Sequence, residues 1–175
     1  MGSESSPLVG VAEEIGYSVG TLYNLFDGQD GLILRMNGRT LDGLSERVGQ
    51  IRFTGSTEQD LLVLGRAYLA YVRRNRNLWN ALFQHRLPSG LRAPRWYQTK
   101  IDHLLSVMEA LLAQAIADPS DQQEAARVLW SAIHGISSLG ADGKLANVTT
   151  RSAVDLMESL VVNYLRGFCA SLQAK

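Results

Sequence analysis

The sequence predicts an all-α protein, and three observations support that fold class. Apolar residues recur three and four positions apart along nearly all of the 175 residues, and no stretch alternates as a half-buried strand does. Glycine, proline and other turn residues fall between the periodic blocks, at intervals that suit helices of about three to six turns. A chain of this length buries roughly 70% of its unfolded surface, so its core needs no disulfide or metal.

The turn and capping residues set the bounds of eight predicted helices. In chain order, the spacing predicts helices over residues 7–15, 18–26 and 29–51, a helix that contains the apolar block 61–72, and helices over residues 77–87, 94–117, 120–139 and 150–172. The predicted N-caps are Ser5 or Ser6, Ser18, Ser56 in a capping box with Gln59, Ser120 in a capping box with Gln123, and Thr149 or Thr150. Within 61–72 the only charge is Arg66, so we expect that helix to be central, with neighbours on most sides.

Composition excludes several classes of protein. Cys169 is the sole cysteine, which rules out a disulfide framework or a four-cysteine zinc site within one chain and favours a reducing cytoplasm. The most apolar stretch, residues 61–72, is shorter than the roughly 20 residues of a membrane span and contains a charge. We therefore expect a cytoplasmic protein with no membrane partner.

Charge is balanced overall but unevenly distributed. The chain has 17 Lys and Arg residues and 17 Asp and Glu residues. Residues 1–34 contain no Lys or Arg, and their acidic residues are Glu4, Glu13, Glu14, Asp27 and Asp30. The remainder of the chain therefore carries the excess of positive charge.

The first two predicted helices have the features of a helix-turn-helix unit. Ala12 is small where two short helices must cross closely, and Gly16 permits a sharp turn between them. Ser18 caps the second helix, whose N-terminal amides can then face a phosphate. A helix of this kind can enter the major groove of DNA.

These residues resemble the DNA-binding segment of the tetracycline-repressor family of transcriptional regulators. The run "VAEEIGYS" at 11–18, the run "VGTLYNLF" at 19–26 and Leu32 follow the order and spacing of the family pattern "IA-x-x-AGVS-x-GTLY-x-x-F-x-x-K-x-x-L". Val11 replaces the usual Ile, and Ile15 replaces the usual Ala. The resemblance implies that the DNA-contacting residues are Ser18, Val19, Gly20, Thr21, Tyr23 and Asn24. The alternatives are packing of Tyr23 against the long helix and an ordinary solvated face for Thr21 and Asn24.

The sequence departs from the family pattern in two ways that weaken DNA binding. Family members carry another helix ahead of this motif, and fewer than ten residues precede the first motif helix here. Gln29 stands where the family often has a phosphate-binding lysine. We expect the sequence to be a shortened form of a longer regulator that lacks its first helix. A regulator that has lost DNA binding is the alternative.

A second resemblance lies near the C-terminus. Trp130, His134 and Gly135 match the Trp-x-x-x-His-Gly segment that names one class of C-terminal domain in this family. The family likeness implies an inducer pocket for a hydrophobic or aromatic effector, and its candidate residues are Tyr68, Tyr71, Trp79, Phe83, His103, Met108, Trp130 and His134. The alternative is an aromatic-rich core without a ligand, with Trp130 stacked on His134 in a packed interface.

The last two helices have a wide apolar arc. On the last helix, one row of apolar residues is broadened by a second. The first row is Val154, Met157, Val161, Leu165, Phe168 and Leu172, and the second is Ala153, Leu156, Leu160 and Tyr164. A surface helix of a monomer needs only about 100° of apolar arc, so we expect a homodimer through these two helices. Burial of the last helix within its own subunit is the alternative.

An enzyme is not expected. The three histidines are separated by a loop or more, and no HExxH or paired-cysteine spacing occurs. Cys169 lies in an apolar row, so we expect its thiol to be buried and unreactive. The resemblance to the tetracycline-repressor family implies a ligand-responsive DNA-binding repressor, and we expect it to act as a homodimer without cofactor or metal. Residues 1–45 would form the DNA-binding domain and residues 46–175 the ligand-binding and dimerisation domain. The rival prediction is a helical dimer that binds a small molecule or a protein partner and no DNA.

Overall fold

The computed structural model describes residues 7–173, and over that range the regular structure is helical, which confirms the predicted all-α class. The helices are α1 (Pro7–Ile15), α2 (Val19–Phe26), α3 (Gly28–Gly49), α4 (Thr57–Arg74), α5 (Arg76–Gln84), α6 (Arg95–Leu112), α7 (Pro119–Ala141) and α8 (Ala153–Gln173). A short 3-10 turn, Lys144–Asn147, joins α7 to α8. No helix in the described range is long and apolar enough to cross a membrane.

The N-terminal helices begin and end where the local signals place them. α1 spans the predicted residues, with Gly16 after it at φ 74°, a conformation that favours glycine. Ser18 caps α2 as predicted, since its Oγ accepts a 3.1 Å hydrogen bond from the Thr21 amide. The alternative caps of α1, Ser5 and Ser6, lie outside the described residues.

Two of the later capping predictions are wrong, and a third is confirmed in position only. Ser56 occupies the N-cap position of α4 but makes no side-chain capping bond. α7 is capped by Asp118 instead of Ser120, because Pro119 takes the first helical position and leaves the preceding carboxylate to accept the free amides. α8 begins after Ser152 instead of Thr149 or Thr150. The hydroxyl of Ser152 accepts from the Asp155 amide while the Asp155 carboxylate accepts from Ser152.

The loop before α4 is organised by a buried carboxylate. Asp60 is only 1% exposed, and it accepts hydrogen bonds from the amide and hydroxyl of Thr54 and from the amide of Gly55, at 2.7 to 2.9 Å. Burial alone raises the pKa of Asp60, but these three bonds outweigh it and hold the pKa below its usual value. The first turn of α4 is thereby tied to the end of the α3–α4 loop.

α4 is the central helix, as its apolar sequence predicts. It packs against α3, α5, α6, α7 and α8. The fully buried side chains around it include Leu61, Val72, Leu112, Leu129, Met157 and Val161. Arg66 lies on the remaining exposed strip, where its guanidinium pairs with Glu158 at 2.6 Å.

α3 joins the two ends of the molecule. Its N-terminal part packs against α2, and its C-terminal part supplies Leu44 and Val48 to the main core. The helix runs unbroken past residue 45. Its middle is held to α4 by a 2.7 Å hydrogen bond from the Tyr71 hydroxyl to the Thr40 carbonyl. α3 therefore runs without a break, over 22 residues, from its contact with α2 to the main core.

Candidate functional site

The first candidate surface is the outer face of α2. Of the six predicted DNA-contacting residues, Ser18, Gly20, Thr21, Tyr23 and Asn24 are exposed and Val19 is half-buried. Tyr23 is 45% exposed and does not pack into the interior. The Ser18 and Thr21 hydroxyls are 2.8 Å apart at the start of the helix. Polar groups and the N-terminal end of α2 thus lie on one accessible surface.

The opposite face of α2 anchors it. Leu22, 3% exposed, is buried in a small cluster with Leu8 and Ala12 of α1, and Phe26 packs against the same cluster. The next helix starts at once, and a side chain at Gly31 would collide with the Phe26 carbonyl. This close approach fixes the angle between α2 and α3.

The surface around α2 carries acidic and apolar side chains. Glu13 and Glu14 are exposed on α1, and Ile15, Tyr17 and Leu25 are exposed by 51%, 62% and 70%. The α1–α2 unit has no cation of its own, because the first Lys or Arg in the sequence is Arg35.

The second candidate site is an apolar cavity of about 120 Å³ among α3, α4, α5, α6 and α7. Five of the eight predicted pocket residues line it: Tyr68, Trp79, Phe83, Met108 and Trp130. The other three do not. Tyr71 is engaged with the α3 backbone, His103 is exposed on α6, and His134 lies behind the lining.

The aromatic lining is closely interlocked. Trp79 makes edge contacts with Tyr68 and Tyr71, at centroid distances of 5.4 and 6.0 Å, and a tilted contact with Phe83 at 5.5 Å. His134 stacks on Trp130 at 5.5 Å and lies 4.0 Å from the Phe83 ring. These contacts fix one wall of the cavity.

A short hydrogen-bonded chain lies behind this wall. His134 Nδ1 is 2.9 Å from the Tyr68 hydroxyl, and its Nε2 is 3.3 Å from the Ser138 hydroxyl. Burial lowers the pKa of His134 and raises the pKa of Tyr68, so both side chains are neutral at pH 7. The Trp79 indole nitrogen is buried and has no hydrogen-bond partner in good geometry.

The other residues of the cavity lining were not among the predicted pocket residues. They are Leu41, Leu44, Val48, Leu64, Gly65, Leu82, Ile101, Leu104, Leu105 and Ile133. Several belong to the apolar rows of the predicted helices, and that periodicity was the signal available for them. No charged side chain lines the cavity, so it suits an uncharged apolar molecule.

The last two helices have an outward apolar surface as well as an inward one. Met157, Val161 and Leu165 of the predicted row pack within the subunit. Val128 and Leu139 of α7 and Val154 of α8 are each exposed by about 40%. The side chains of Cys169 and Leu172 are outside the described residues. The described residues also contain no cluster of three or more His, Cys, Asp or Glu side chains able to hold a metal ion.

The described residues thus form an all-α protein with two short helices, α1 and α2, joined by a tight turn, and with an apolar cavity among α3, α4, α5, α6 and α7. The family model for the tetracyclin repressor-like C-terminal domain matches residues 61–164. The chain therefore belongs to the tetracycline-repressor-like family, whose members are transcriptional regulators and not enzymes. No curated protein matches the sequence.

Two solved structures have similar folds. The crystal structure of a regulatory protein designated SCO4313 is 21% identical, with a TM-score of 0.70 over 90% of this chain and 84% of that one. The crystal structure of a TetR-like transcriptional regulator from Rhodococcus sp. RHA1 is 22% identical, with a TM-score of 0.62 over 93% of this chain and 86% of that one. At this level of identity the likeness establishes the shared fold alone.

Proposed function

We propose that this protein is a ligand-responsive repressor of transcription that binds DNA as a homodimer through α2. The observation that carries the proposal is the position of α3. Its N-terminal part supports α2, whose polar face is exposed, and its Leu41, Leu44 and Val48 line the cavity. The single helix α3 thus contacts both α2 and the cavity.

The roles of the α2 residues follow from their positions. Ser18, Thr21 and Tyr23 would contact phosphates or base edges, and Asn24 would bond a base edge or the backbone. Val19 and Gly20 would approach a base step closely, since neither has a long side chain. The amides at the start of α2 favour a phosphate at that end.

A second copy of the chain supplies the second α2. We propose a two-fold dimer through α7 and α8, supported by the exposed Val128, Leu139 and Val154. Two recognition helices fit successive major grooves when they are about 34 Å apart. Burying these outward apolar residues removes surface that is otherwise in contact with water.

Effector binding would act through α3. An apolar molecule in the cavity would contact Leu41, Leu44 and Val48 of α3. If the cavity changes shape around that molecule, α3 tilts, and the separation of the two α2 helices changes with it. The effector shifts the protein toward the form that does not bind DNA only if it binds that form more tightly. Operator DNA and the effector are therefore expected to compete.

Three finer assignments belong to the same proposal. Residues 1–45 form the DNA-binding unit, and residues 46–175 form the ligand-binding and dimerisation unit. The C-terminal unit is of the Trp-His-Gly class, supported by the stacking of Trp130 on His134. A regulator that acts on chromosomal DNA in this way works in the cytoplasm.

The test is a fluorescence-anisotropy titration with duplexes that tile the region upstream of the protein's own gene. We expect one duplex to bind in preference to a scrambled one. Each protomer of a dimer loses one base-edge contact worth about 1 to 3 kcal/mol, so Asn24→Ala should weaken that binding by about 30-fold or more. Asn77→Ala removes an equally exposed amide from α5 and should leave the affinity unchanged.

The rival function is a helical dimer that binds a small molecule or a protein and no DNA. The acidic first 34 residues, which contain no Lys or Arg, favour it. Equal and salt-insensitive titrations for all duplexes would support this rival and overturn the DNA-binding proposal.

A further inference from the structure

The α1–α2 unit has no cation with which to bind a phosphate backbone. Residues 1–34 contain no Lys or Arg. Protein–DNA affinity depends heavily on phosphates neutralised by Lys and Arg, and each such contact releases counterions. If α2 contacts DNA, cations on another part of the fold that lies beside it would strengthen the binding.

The α5–α6 segment, residues 85–95, is held beside the N-terminal part of α3. At its start, His85 Nε2 lies 3.2 Å from a carboxylate oxygen of Asp30, in the first turn of α3 and just beyond the end of α2. Leu87 and Ala93 of the segment pack against a buried cluster formed by Leu34 and Leu41 of α3 and Tyr97 of α6. The start of the segment therefore borders the end of α3 that supports α2, and the rest of the segment packs on the cluster that includes Leu34 and Leu41.

The contact continues into α6. The Arg35 guanidinium of α3 lies over the Trp96 ring, 4.8 Å from its centroid, and Lys100 pairs with Asp42. A side chain at Gly38 would come 2.8 Å from the Trp96 ring, so the two helices are in close contact there. The α5–α6 segment is thus attached to α3 at both of its ends.

The segment carries three arginines with exposed side chains, Arg86, Arg92 and Arg95. None of them is paired with an acidic side chain within 4 Å among the described residues. Of the acidic side chains on the facing helix, Asp30 is beside His85 and Asp42 is beside Lys100. The three guanidinium groups are therefore free to bind an anion, and their planar geometry matches a phosphate.

We propose that Arg86, Arg92 and Arg95 bind the phosphate backbone of the same DNA that α2 contacts. This inference rests on the proposed DNA-binding function and names the source of its electrostatic affinity. The arginines supply, from the ligand-binding unit, the positive charge that the α1–α2 unit does not have. They add affinity without sequence preference, and α2 reads the bases.

The salt dependence of DNA binding tests this assignment. Anisotropy titrations of the intact protein with the preferred duplex, at about five KCl concentrations, give the slope of log Kobs against log salt concentration. Each phosphate contact contributes about 0.9 to the magnitude of that slope. Arg86→Ala, Arg92→Ala or Arg95→Ala removes one contact from each protomer of a dimer, so each should reduce the slope by about 1.8.

Two control variants separate a phosphate contact from a change in overall charge. Arg52→Ala removes an equally exposed and unpaired arginine just beyond the opposite end of α3, and it should leave the slope unchanged. Arg86→Lys keeps the charge and should keep the slope. Circular dichroism of each variant verifies that the helices are intact.

The titrations distinguish failure of the arginine contacts from failure of DNA binding by α2. Unchanged slopes for all three alanine variants, or an equal loss for Arg52→Ala, would overturn the assignment of the α5–α6 arginines and leave DNA binding by α2 standing. Salt-insensitive binding of the unmodified protein to every duplex would overturn both. A loss confined to the three arginines supports the assignment.

Discussion

Met108 is the side chain whose removal tests the cavity most sharply. It is 8% exposed, lines the cavity and belongs to the main core. Met108→Ala removes three buried heavy-atom groups, worth about 0.8 kcal/mol each or roughly 2.4 kcal/mol together. The vacated volume joins an existing cavity of about 120 Å³, and its rigid aromatic wall limits collapse. The additional cavity cost brings the expected loss of unfolding free energy to about 3 to 4 kcal/mol.

Urea and thermal denaturation followed by far-UV circular dichroism measure this loss. For a chain of this size the melting temperature should fall by about 6 to 16 °C. Met36→Ala is the matched control, because Met36 is 48% exposed on α3, and it should change the unfolding free energy by no more than about 0.5 kcal/mol. A loss below about 1 kcal/mol at Met108, or equal losses at the two positions, would refute the placement of Met108 in the cavity wall.

Further predictions concern stability and its pH dependence, each measured by urea denaturation. Burial lowers the folded-state pKa of His134, so the unfolded chain takes up the proton first as pH falls below about 6.5. The free energy of unfolding should therefore decrease below that pH. His134→Asn should make this decrease smaller. Because hydrogen bonds lower the folded-state pKa of Asp60, its stabilising effect is complete above the usual pKa of about 4 and should be lost as pH falls below it, through the lowered pKa of the folded state. Asp60→Asn should remove this part of the pH dependence. Gly43→Ala places a Cβ 2.6 Å from the Tyr71 hydroxyl and should cost about 1 to 3 kcal/mol, whereas at Gly49 an added Cβ meets nothing within 4 Å and alanine should be neutral or stabilising. Equal effects of the two glycine substitutions would contradict the close packing of α3 on α4.

The helices near the N-terminus could be predicted from the sequence because their signals are local. Pro7, Gly16 and Ser18 each act within one turn of their own position, and the structure places the ends of α1 and α2 accordingly. The capping residue could not be predicted where several serines, threonines and carboxylates compete within a few residues. At α7 the choice between Asp118 and Ser120 depends on which residue takes the first helical position, and propensity alone does not decide it.

The cavity could be predicted only in part, because its lining depends on how each helix is rotated about its axis. Trp79 and Phe83 lie on the cavity side of α5, but Tyr71 of α4 turns toward α3 and donates a hydrogen bond to its backbone. His103 sits beside Leu104 in sequence, yet the 100° step between neighbouring positions carries it to the exposed side of α6. Aromatic and titratable residues were selected for their chemistry, whereas the aliphatic part of the lining follows from helix periodicity.

The separation of the two α2 helices in solution tests the central claim most directly. With Cys169→Ser and Asn24→Cys in the intact chain, a spin label at position 24 reports the distance between protomers by double electron–electron resonance. The proposed dimer predicts a distance distribution centred near 34 Å, one turn of DNA, because each label lies on an exposed recognition face. Absence of a dipolar signal at micromolar protein, or a distance that places both faces against each other, would contradict a dimer that reads successive major grooves.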